Sequence, residues 1–550
     1  MLSKVTLLSI FLLLWLRWLT ATLPGYIHPD EFFQNPEITS AKIFNIHTLT
    51  PWEYQPQHAS RSILSPFLTT GIPFYMLKAW LPKDTLPSSV TLFMTERLSA
   101  FAWSLVIDVC VYRICKRIGT KPKIPMLLIA TSQVTLAYNT RPFSNSFESV
   151  LLCLCLYTYV NYTYKANARL AFLLGALFSI GVFTRITFPL YAFPIGIAFI
   201  YQAYKHYNFN QFTTSVFPLV LGIISFAVFA IAADSVYYGT LSFTVDGQPF
   251  RDVGHVVSTL FDPTTLATVR ADGDIVITPL NNLLYNMNVD NLAQHGLHPR
   301  YTHFAVNLPL LFGPLAIFGF FLVLISVVFS GLVGLSIIPH QEARFLTPLL
   351  APLILIYTWK QIKLPASFWA IWLLFNVITT YIFAVVHQGG IVPTMGFLQH
   401  ATDTSGFHVT TNLVFYKTYM PPRHLLVDSK NNRHTHINIL DFSSRLDEAV
   451  AALENSSGVV LRRHQPGKIE IDFAKTSTPN AFERTIFISP SFVPLPKVKN
   501  HRYLMMASYS PHVGFDDMDK MMERASEMNS PESQMSLNVF LLLSEQDDPK

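Results

Sequence analysis

A short polar segment after the first apolar run contains residues suited to acid–base chemistry. The stretch "GYIHPDEFFQNPEI" spans residues 25–38 and presents His28, Asp30 and Glu31 within four positions. Pro29 fixes its own φ and restricts the residue before it, so both carboxylates are expected on a stiff turn. A partly desolvated carboxylate at a membrane edge suits general-base chemistry, because burial raises its pKa towards the working range.

The same segment also has a structural interpretation. Asp30 could cap a helix formed by "EFFQNPEI", with Phe32 and Phe33 resting in the interface between membrane and water. The motif alone leaves both interpretations open.

Three arginines occur near the ends of apolar runs: Arg141 in "TRPFSNSFE", Arg185 in "FTRITFP" and Arg344 in "HQEARFL". We predict that they face the same side of the membrane as the acidic segment. Guanidinium groups bind phosphate in a fork geometry, so the three predict a lipid-phosphate ligand that enters from the bilayer. The structural alternatives are extension to lipid headgroups and pairing with Glu148 or Glu342.

Two further polar segments lie at predicted helix ends. "PHQEARF" brings His340 within two residues of Glu342, but no second histidine or carboxylate has metal-ligand spacing, so a metal site is not favoured. Asp234 in "DSVYYG" could bind a substrate hydroxyl or cap the following turn, and the cap is the favoured interpretation.

A largely apolar chain must position these residues. Apolar types make up 51% of the 550 residues and charged types 13%, about half the share of charged residues in globular proteins. Apolar runs recur from Lys4 to His387, each near the length that crosses ~30 Å of hydrocarbon. We predict an α-helical multi-pass membrane protein. The net charge of +5 is small, and no basic patch of the kind that binds nucleic acid occurs.

We predict about eleven transmembrane helices. They cover residues 5–23, 93–113, 124–139, 146–163, 170–187, 188–204, 213–233, 304–320, 321–338, 346–360 and 365–386. The first run lacks a clear cleavage site, so it is interpreted as an uncleaved helix rather than a signal peptide. The apolar segment 61–81 is broken by two prolines, a glycine and a lysine, which predicts an interfacial or re-entrant element.

Charge gives the predicted orientation. The basic segment "RICKRIGTKPK" (113–123) is expected in the cytoplasm. The predicted spans then place four polar segments on the opposite, lumenal or extracellular side: 24–92, 138–146, 234–303 and the tail after residue 387. Asn455 lies on that side in a glycosylation sequon, whereas the sequon at Asn161 lies within a span.

The tail has a different character from the rest of the chain. Alternating residues predict two strands, and helical spacing predicts two helices, of which the first has a serine cap. These elements lie at 468–474, 484–489, 443–456 and 516–528. We predict a small lumenal α/β domain over 400–550, after a membrane domain over 1–390.

Six motifs in order give the chain a family resemblance. They are "HPDEFFQ", "WEYQPQHASRS", "TRPFSNSFE", "FTRITFP", "DSVYYG" and "HQEARFLTPLLAPL". Over roughly residues 1–390 the chain resembles glycosyltransferase family 22, the multi-spanning endoplasmic-reticulum mannosyltransferases that use dolichyl-phosphate mannose. "YIHPDEFFQNPE" and "PHQEARFL" look most like members that add the fourth mannose of a GPI-anchor precursor through an α-1,2 linkage.

The resemblance implies a GT-C fold, an inverting reaction and a catalytic acid on the first lumenal loop. Asp30 would be the base, with Glu31 as its neighbour or substitute, and it would deprotonate the 2-hydroxyl of the acceptor mannose. That oxygen attacks the anomeric carbon of the donor as dolichyl phosphate leaves. Because phosphate is a good leaving group, no metal or other cofactor is obligatory.

The resemblance also implies binding residues and partners. Arg185 and Arg344, with Arg141, would stabilise the departing phosphate. The further candidates for substrate binding are His28, His340, Glu342 and Asp234. The expected partners are dolichyl-phosphate mannose, the GPI precursor and membrane lipid, with the active site in the lumen of the endoplasmic reticulum.

Two alternative functions stay open. A family member could act on the third GPI mannose or on the lipid-linked N-glycan precursor, and those relatives often have lysine where Gln341 stands. A transporter would also have many spans with charges, but transporters usually place them near the bilayer midplane and show paired repeats. Here the charges lie at predicted helix ends on one side and no repeat is visible, which favours a transferase.

Overall fold

Packing divides the chain into two compact units. The first comprises Met1–Leu49, Thr70–Ser99 and Asn376–Lys550, and the second comprises Thr50–Thr69 and Ala100–Phe375. The structure, a computed structural model, describes residues 4–206, 209–249, 258–259, 261–294, 296–316, 322–359, 363–402, 408–431, 435–456, 459–465, 468–472, 474–475, 481–528 and 534–544. Since the units are defined by packing alone, the predicted membrane domain (1–390) and lumenal domain (400–550) stay predictions.

Helices dominate the second unit, as its apolar runs predict. Its helical elements are Trp52–Tyr54, Leu64–Pro66, Lys123–Thr131, Val134–Tyr138, Ser144–Tyr164, Ala168–Thr184, Pro189–His206, Phe209–Tyr237, Pro263–Leu266, Thr278–Met287, Val289–Ala293, His303–Asn307, Leu308–Phe312, Gly313–Ala316, Leu322–Ile337, Ala343–Leu349 and Leu350–Thr358. The short helix Phe67–Gly71 and the longer helices Ser89–Arg117 and Ala366–Tyr381 contribute residues to both units.

The first unit has shorter helices. They are Lys4–Ala21, Asp30–Phe33, Pro36–Phe44, Ile72–Trp80, Ile382–Val386, Ile391–Thr402, Arg423–Leu426, Leu446–Glu454, Phe515–Asp517 and Met518–Met528. The predicted element at 61–81 forms consecutive helical turns that end at Trp80, and its placement at the membrane interface stays a prediction.

Three helices in the described part of the chain are long and apolar enough to cross a membrane: Ser89–Arg117, Phe212–Tyr237 and Ala366–Val386. The second exposes large apolar side chains such as Phe217, Ile224 and Val228. A helix with this apolar surface suits a lipid environment better than water. The predicted mainly helical, apolar architecture is thus confirmed.

The number of spans stays a prediction. Each predicted span overlaps a helix, but many of these helices are shorter than a bilayer-crossing helix of about 20 residues. The predicted boundary between spans 304–320 and 321–338 falls on residues 317–321, outside the described residues.

The helices Ala168–Thr184 and Phe209–Tyr237 of the second unit pack closely at two glycines. A Cβ atom added at Gly175 would lie 1.9 Å from the Leu219 carbonyl oxygen, and one added at Gly222 would lie 2.1 Å from the Phe172 carbonyl oxygen. Glycine is therefore required on both facing surfaces, as in membrane helix pairs that pack through small residues.

Eleven strands occur in the described residues. They are β1 (Leu241–Val245), β2 (Gln248–Pro249), β3 (Val269–Gly273), β4 (His408–Phe415), β5 (Thr435–Asp441), β6 (Val460–Gln465), β7 (Lys468–Asp472), β8 (Ala474–Lys475), β9 (Ala481–Pro490), β10 (His501–Tyr509) and β11 (Leu537–Ser544). The first three form a small antiparallel sheet in the second unit.

A mixed sheet organises the tail. Its order is β10-β11-β9-β4-β5, with β8 paired to β9 and a separate β6-β7 hairpin. Strand β4 lies between β9 and β5 and is parallel to both, so Val409 pairs with Thr435 on one side and Phe482 on the other. Buried residues from the sheet, such as Leu413 and Ile486, share one hydrophobic core with Phe32 of the first loop.

Most predictions for the tail are confirmed. The predicted strands correspond to β7 with β8 and to β9, and the predicted helices to Leu446–Glu454 and Met518–Met528; Phe473 lies outside the described residues. The serine cap is wrong. The capping residue of the first helix is Arg445, whose side chain makes no capping bond. Ser443 lies in a separate turn before the helix, where its backbone N–H donates to Asp441 Oδ1 at 2.9 Å.

Candidate functional site

Asp30 begins a single helical turn, Asp30–Phe33, after Pro29. Its carboxylate accepts a hydrogen bond from the Gln34 side chain, and its backbone N–H donates to His28 Nδ1 at 3.2 Å. The same ring nitrogen lies 3.6 Å from Asp30 Oδ1, and the side chains of His28 and Asp30 are 35% and 26% exposed. Asp30 is therefore a carboxylate that a substrate can reach, beside an imidazole.

Glu31, the next residue, has the opposite environment. It is fully buried, pairs with the Arg97 guanidinium, and accepts the Ile27 backbone N–H at 3.1 Å. Arg97 also donates to the Gly25 carbonyl oxygen at 3.3 Å. Because a buried and paired carboxylate cannot meet a substrate hydroxyl without breaking that pair, the geometry favours Asp30 over Glu31 as a base.

Two structural expectations for this motif are wrong. Asp30 is not the helix cap, because the capping position is Pro29, whose side chain makes no hydrogen bond. Phe32 and Phe33 do not rest in an interface, because both are buried in the core of the first unit. Burial of the two rings fixes the turn and leaves the Asp30 side chain partly exposed.

Arg185 and Arg344 both contact the Phe345 ring in the second unit. Their guanidinium carbons are 5.0 Å and 5.6 Å from the centre of the Phe345 ring. Arg344 also lies 5.8 Å from the Phe143 ring, and Arg185 Nη1 donates to Ser144 Oγ at 3.0 Å. Motifs that are distant in sequence thus bring two guanidinium groups, the groups that bind phosphate in a fork geometry, to the same aromatic ring.

Each of these arginines has a carboxylate partner, as the structural alternative predicted. Arg185 Nε lies 3.4 Å from Glu148 Oε2, and Arg344 Nε contacts Glu342 Oε2. His340 Nε2 lies 2.7 Å from Glu342 Oε1. Burial lowers the pKa of His340, but its hydrogen bond to Glu342 and the charge of that carboxylate outweigh burial and raise the pKa.

Arg141 is buried and donates to the Ala137 carbonyl oxygen. With Asn139 and Trp103 it lines a cavity of about 10 Å³, about the space of one water molecule. Neither polar side-chain atom of Asn139 has a hydrogen-bond partner among the described residues, although the residue is 2% exposed. An unpaired buried amide is costly, so Asn139 is a further candidate for contact with water or ligand.

Asp234 connects two other motifs of the family resemblance. Its buried carboxylate accepts hydrogen bonds from Ser62 Oγ and the Ile63 backbone N–H, both at 2.9 Å, and from Thr278 Oγ1 at 2.7 Å. It therefore binds distant segments rather than capping the following turn. Three bonds to a buried carboxylate favour a structural role over contact with a substrate hydroxyl.

The predicted site residues fall in different units. His28, Asp30 and Glu31 belong to the first, and the three arginines, Asp234, His340 and Glu342 belong to the second. A single pocket that combines them stays a prediction. In the ranges that the structure describes, no three histidine, cysteine or acidic side chains form a group that could hold a metal ion.

Sequence reasoning missed several charged residues of the first unit. Glu96 and Arg97 lie in the helix Ser89–Arg117 and are fully buried, as is His424 in the tail. An adjacent acid and base inside an apolar run were visible in "FMTERLSAF" and could have been singled out, because charges within membrane segments are usually paired or functional. No sequence pattern indicates a partner for His424.

Comparison with known proteins gives a family match over most of the chain. The profile of the Alg9-like mannosyltransferase family matches residues 8–428. The Homo sapiens protein GPI alpha-1,2-mannosyltransferase 4 is 32% identical to this chain, over 75% of the chain and 74% of the relative. GPI mannosyltransferase 4 of Saccharomyces cerevisiae is 33% identical over 80% of each protein, and that of Emericella nidulans is 30% identical over 92% of each. These matches confirm the resemblance indicated by the six motifs.

The chain is also similar to a solved structure, ArnT from Cupriavidus metallidurans in the apo state. The sequence identity is 10% and the TM-score is 0.42, with 88% of this chain and 92% of ArnT covered.

Proposed function

The chain belongs to the Alg9-like mannosyltransferase family, and we propose that it transfers the fourth mannose, through an α-1,2 linkage, to the third mannose of a GPI-anchor precursor. The observation that supports this acceptor is the similarity to GPI mannosyltransferases 4, which share about a third of their residues with this chain over three quarters or more of its length. The proposed donor is dolichyl-phosphate mannose, and the proposed location is the lumenal side of the endoplasmic-reticulum membrane, in a GT-C fold with about eleven spans.

In this proposal Asp30 is the general base. Its carboxylate is partly exposed, whereas that of Glu31 is buried against Arg97. Asp30 takes the proton of the acceptor 2-hydroxyl while that oxygen bonds to the anomeric carbon of the donor. The bond from the anomeric carbon to the phosphate oxygen breaks, and dolichyl phosphate leaves with the electron pair, so the anomeric configuration inverts.

Arg185 and Arg344 stabilise the departing phosphate. Both lie against the Phe345 ring, so their positive charges are fixed beside that ring before the substrate arrives. Charges fixed in advance stabilise a developing anion without reorganisation during the reaction. Glu148 and Glu342 hold the two guanidinium groups, and His340 in turn binds Glu342. Arg141, His28 and Asn139 are proposed as supporting contacts, and no metal is required for a phosphate leaving group.

The GPI precursor that accumulates in cells lacking this protein tests the acceptor. We expect precursors that stop at three mannoses, and restoration of the fourth α-1,2-linked mannose when the wild-type chain is returned. Accumulation of a precursor with two mannoses would assign the third-mannose step instead. An intact GPI glycan with a shortened N-glycan precursor would assign the N-glycan pathway, and either result would refute the proposed acceptor.

A further inference from the structure

A buried charged cluster lies in the first unit, outside the residues assigned to the reaction. His424 Nδ1 lies 3.2 Å from Glu37 Oε1, and His424 Nε2 lies 3.0 Å from Glu96 Oε2. All three side chains are fully buried. The His424 backbone N–H also donates to Glu37 Oε1 at 3.0 Å. A ring with an acidic oxygen at each nitrogen donates from both only when it is protonated.

The surroundings stabilise that protonated ring. Burial lowers the pKa of His424, but the charges and hydrogen bonds of Glu96 and Glu37 outweigh burial and raise the pKa to about 9. Arg97, the residue after Glu96, pairs with Glu31. With this pair included, the cluster contains three carboxylates, Glu31, Glu37 and Glu96, and two cations, Arg97 and His424.

The cluster joins three parts of the chain. Glu37 lies on the helix Pro36–Phe44, Glu96 on Ser89–Arg117, and His424 on the turn Arg423–Leu426 of the tail. The helix Ile391–Thr402 also packs against that turn, and its titratable residue, His400, is exposed. In the described part of the chain, His424 contacts the two carboxylates and the Phe32 ring, whose centre is 5.8 Å from the imidazole.

The segment that contains Asp30 is attached to this cluster on both sides. Before it, the Gly25 carbonyl accepts from Arg97. Within it, Glu31 pairs with the same arginine, and after it, Glu37 binds His424. Buried charged groups thus hold the segment around Asp30 at three points, Gly25, Glu31 and Glu37.

Tail residues add direct bonds to the same loop. The Tyr26 hydroxyl donates to the Met420 carbonyl oxygen at 3.1 Å, and the His47 backbone N–H donates to the Asp428 carbonyl oxygen at 2.7 Å. These contacts lie four residues on either side of His424 in sequence. The segment from Met420 to Asp428 therefore contacts the first loop both before Asp30, at Tyr26, and after it, at His47.

We propose that His424, held as an imidazolium between Glu37 and Glu96, is a positioning residue for Asp30, so that the tail takes part in setting the geometry of catalysis. The inference rests on the proposed role of Asp30 as the base. Its physical reason is that an uncharged His424 leaves two buried carboxylates without their cation, and the helix that follows the Asp30 turn must then shift to hydrate or protonate them. A displacement of the base lowers the rate of transfer rather than the affinity for donor.

The test measures kcat and KM for the donor as functions of pH, with the full-length chain in lipid nanodiscs and a trimannosyl GPI acceptor. The variants are His424→Gln, Glu96→Gln and, as a matched control, His436→Gln, an exposed histidine of the same tail. For the wild type, kcat should fall as pH rises through about 9, with KM for the donor nearly unchanged.

Each variant has its own expected result. Glu96→Gln removes one charge that favours the imidazolium, so the alkaline fall in kcat should move down by about one pH unit. His424→Gln should lower kcat about 10- to 100-fold at pH 7, the effect of a small displacement of a reacting group, and should abolish the alkaline fall. His436→Gln should match the wild type.

A wild-type kcat that is constant through pH 10, or an alkaline fall that Glu96→Gln does not move, would overturn the inference. If a variant does not fold, as judged by its thermal transition, the dependence of the wild-type kcat on pH still tests the inference. A wild type that transfers no mannose at any pH would instead refute the proposed function, so the two failures are distinguishable.

Discussion

At the scale of single residues, two adjacent carboxylates differ in what surrounds them. Asp30 is partly exposed beside His28, and Glu31 is buried in an ion pair with Arg97. From the sequence "DE" alone, the two residues are acids of the same kind, and their different burial is not predicted. Their environments differ because successive residues of a helical turn point in different directions. Glu31 is fully buried, as is Phe32 in the hydrophobic core.

This difference predicts that amide substitution of Asp30 affects the rate of transfer, whereas amide substitution of Glu31 affects stability. Asp30→Asn should lower mannose transfer by about 10²–10⁴-fold, the usual contribution of a general base, with unchanged abundance and thermal stability. Glu31→Gln leaves Arg97 without its buried counter-charge and should lower stability by up to about 3–5 kcal/mol. Transfer assays and thermal unfolding of both variants provide the comparison. Near-normal transfer by Asp30→Asn would refute the assignment of the base.

At the scale of elements, the sequence predicts the helices better than the contacts between them. Apolar runs of helical length predicted every span-length helix within a few residues, because apolar composition and length are local properties. Alternation likewise identified β7 and β9. The serine cap failed because the choice of capping residue depends on the preceding turn, where Ser443 has a positive φ of 50°.

The contacts of the candidate site could be predicted only in part. The sequence indicates the arginine motifs and offers Glu148 and Glu342 as partners, but the shared contact with Phe345 depends on tertiary packing. The cluster of Glu37, Glu96 and His424 joins residues up to 387 positions apart. One sequence contains no local pattern for such a pairing, so the role of the tail could not be predicted.

Packing of the helices Ala168–Thr184 and Phe209–Tyr237 gives a prediction at this scale. Gly175→Ala should destabilise the protein by about 1–3 kcal/mol, the usual range for overpacking, because the new Cβ would lie 1.9 Å from the Leu219 carbonyl oxygen. The matched control is Gly196→Ala, whose Cβ would meet Phe178 at 3.6 Å. Thermal unfolding in detergent measures both. Equal stability of the two variants would contradict the close approach of the helices.

At the scale of the whole molecule, the proposed transfer of mannose requires the polar segments to lie on one side of the membrane. The donor has a polyisoprenyl tail that stays in the bilayer, so the base and the arginines must both work at the membrane edge. The predicted orientation puts the first loop, the arginine motifs and the tail in the lumen, and it stays a prediction that glycosylation can test.

Two sequons provide that test. Asn455 is exposed at the end of the helix Leu446–Glu454, and Asn161 lies within Ser144–Tyr164, where its amide donates to the Tyr157 carbonyl oxygen at 2.8 Å. We expect endoglycosidase treatment to increase the mobility of the wild type and of Asn161→Gln, but not of Asn455→Gln. A glycan lost only in Asn161→Gln would contradict the orientation.

The proposed roles of Asp30, Arg185 and Arg344 are tested most directly by a cryo-EM structure of the chain in lipid, with a non-transferable dolichyl-phosphate mannose analogue and the trimannosyl acceptor bound. We expect the donor phosphate to lie against Arg185 and Arg344, and an Asp30 carboxylate oxygen to lie about 2.6–3.2 Å from the acceptor 2-hydroxyl. A donor phosphate bound away from both arginines, or an acceptor hydroxyl that faces a carboxylate other than Asp30, would contradict these roles.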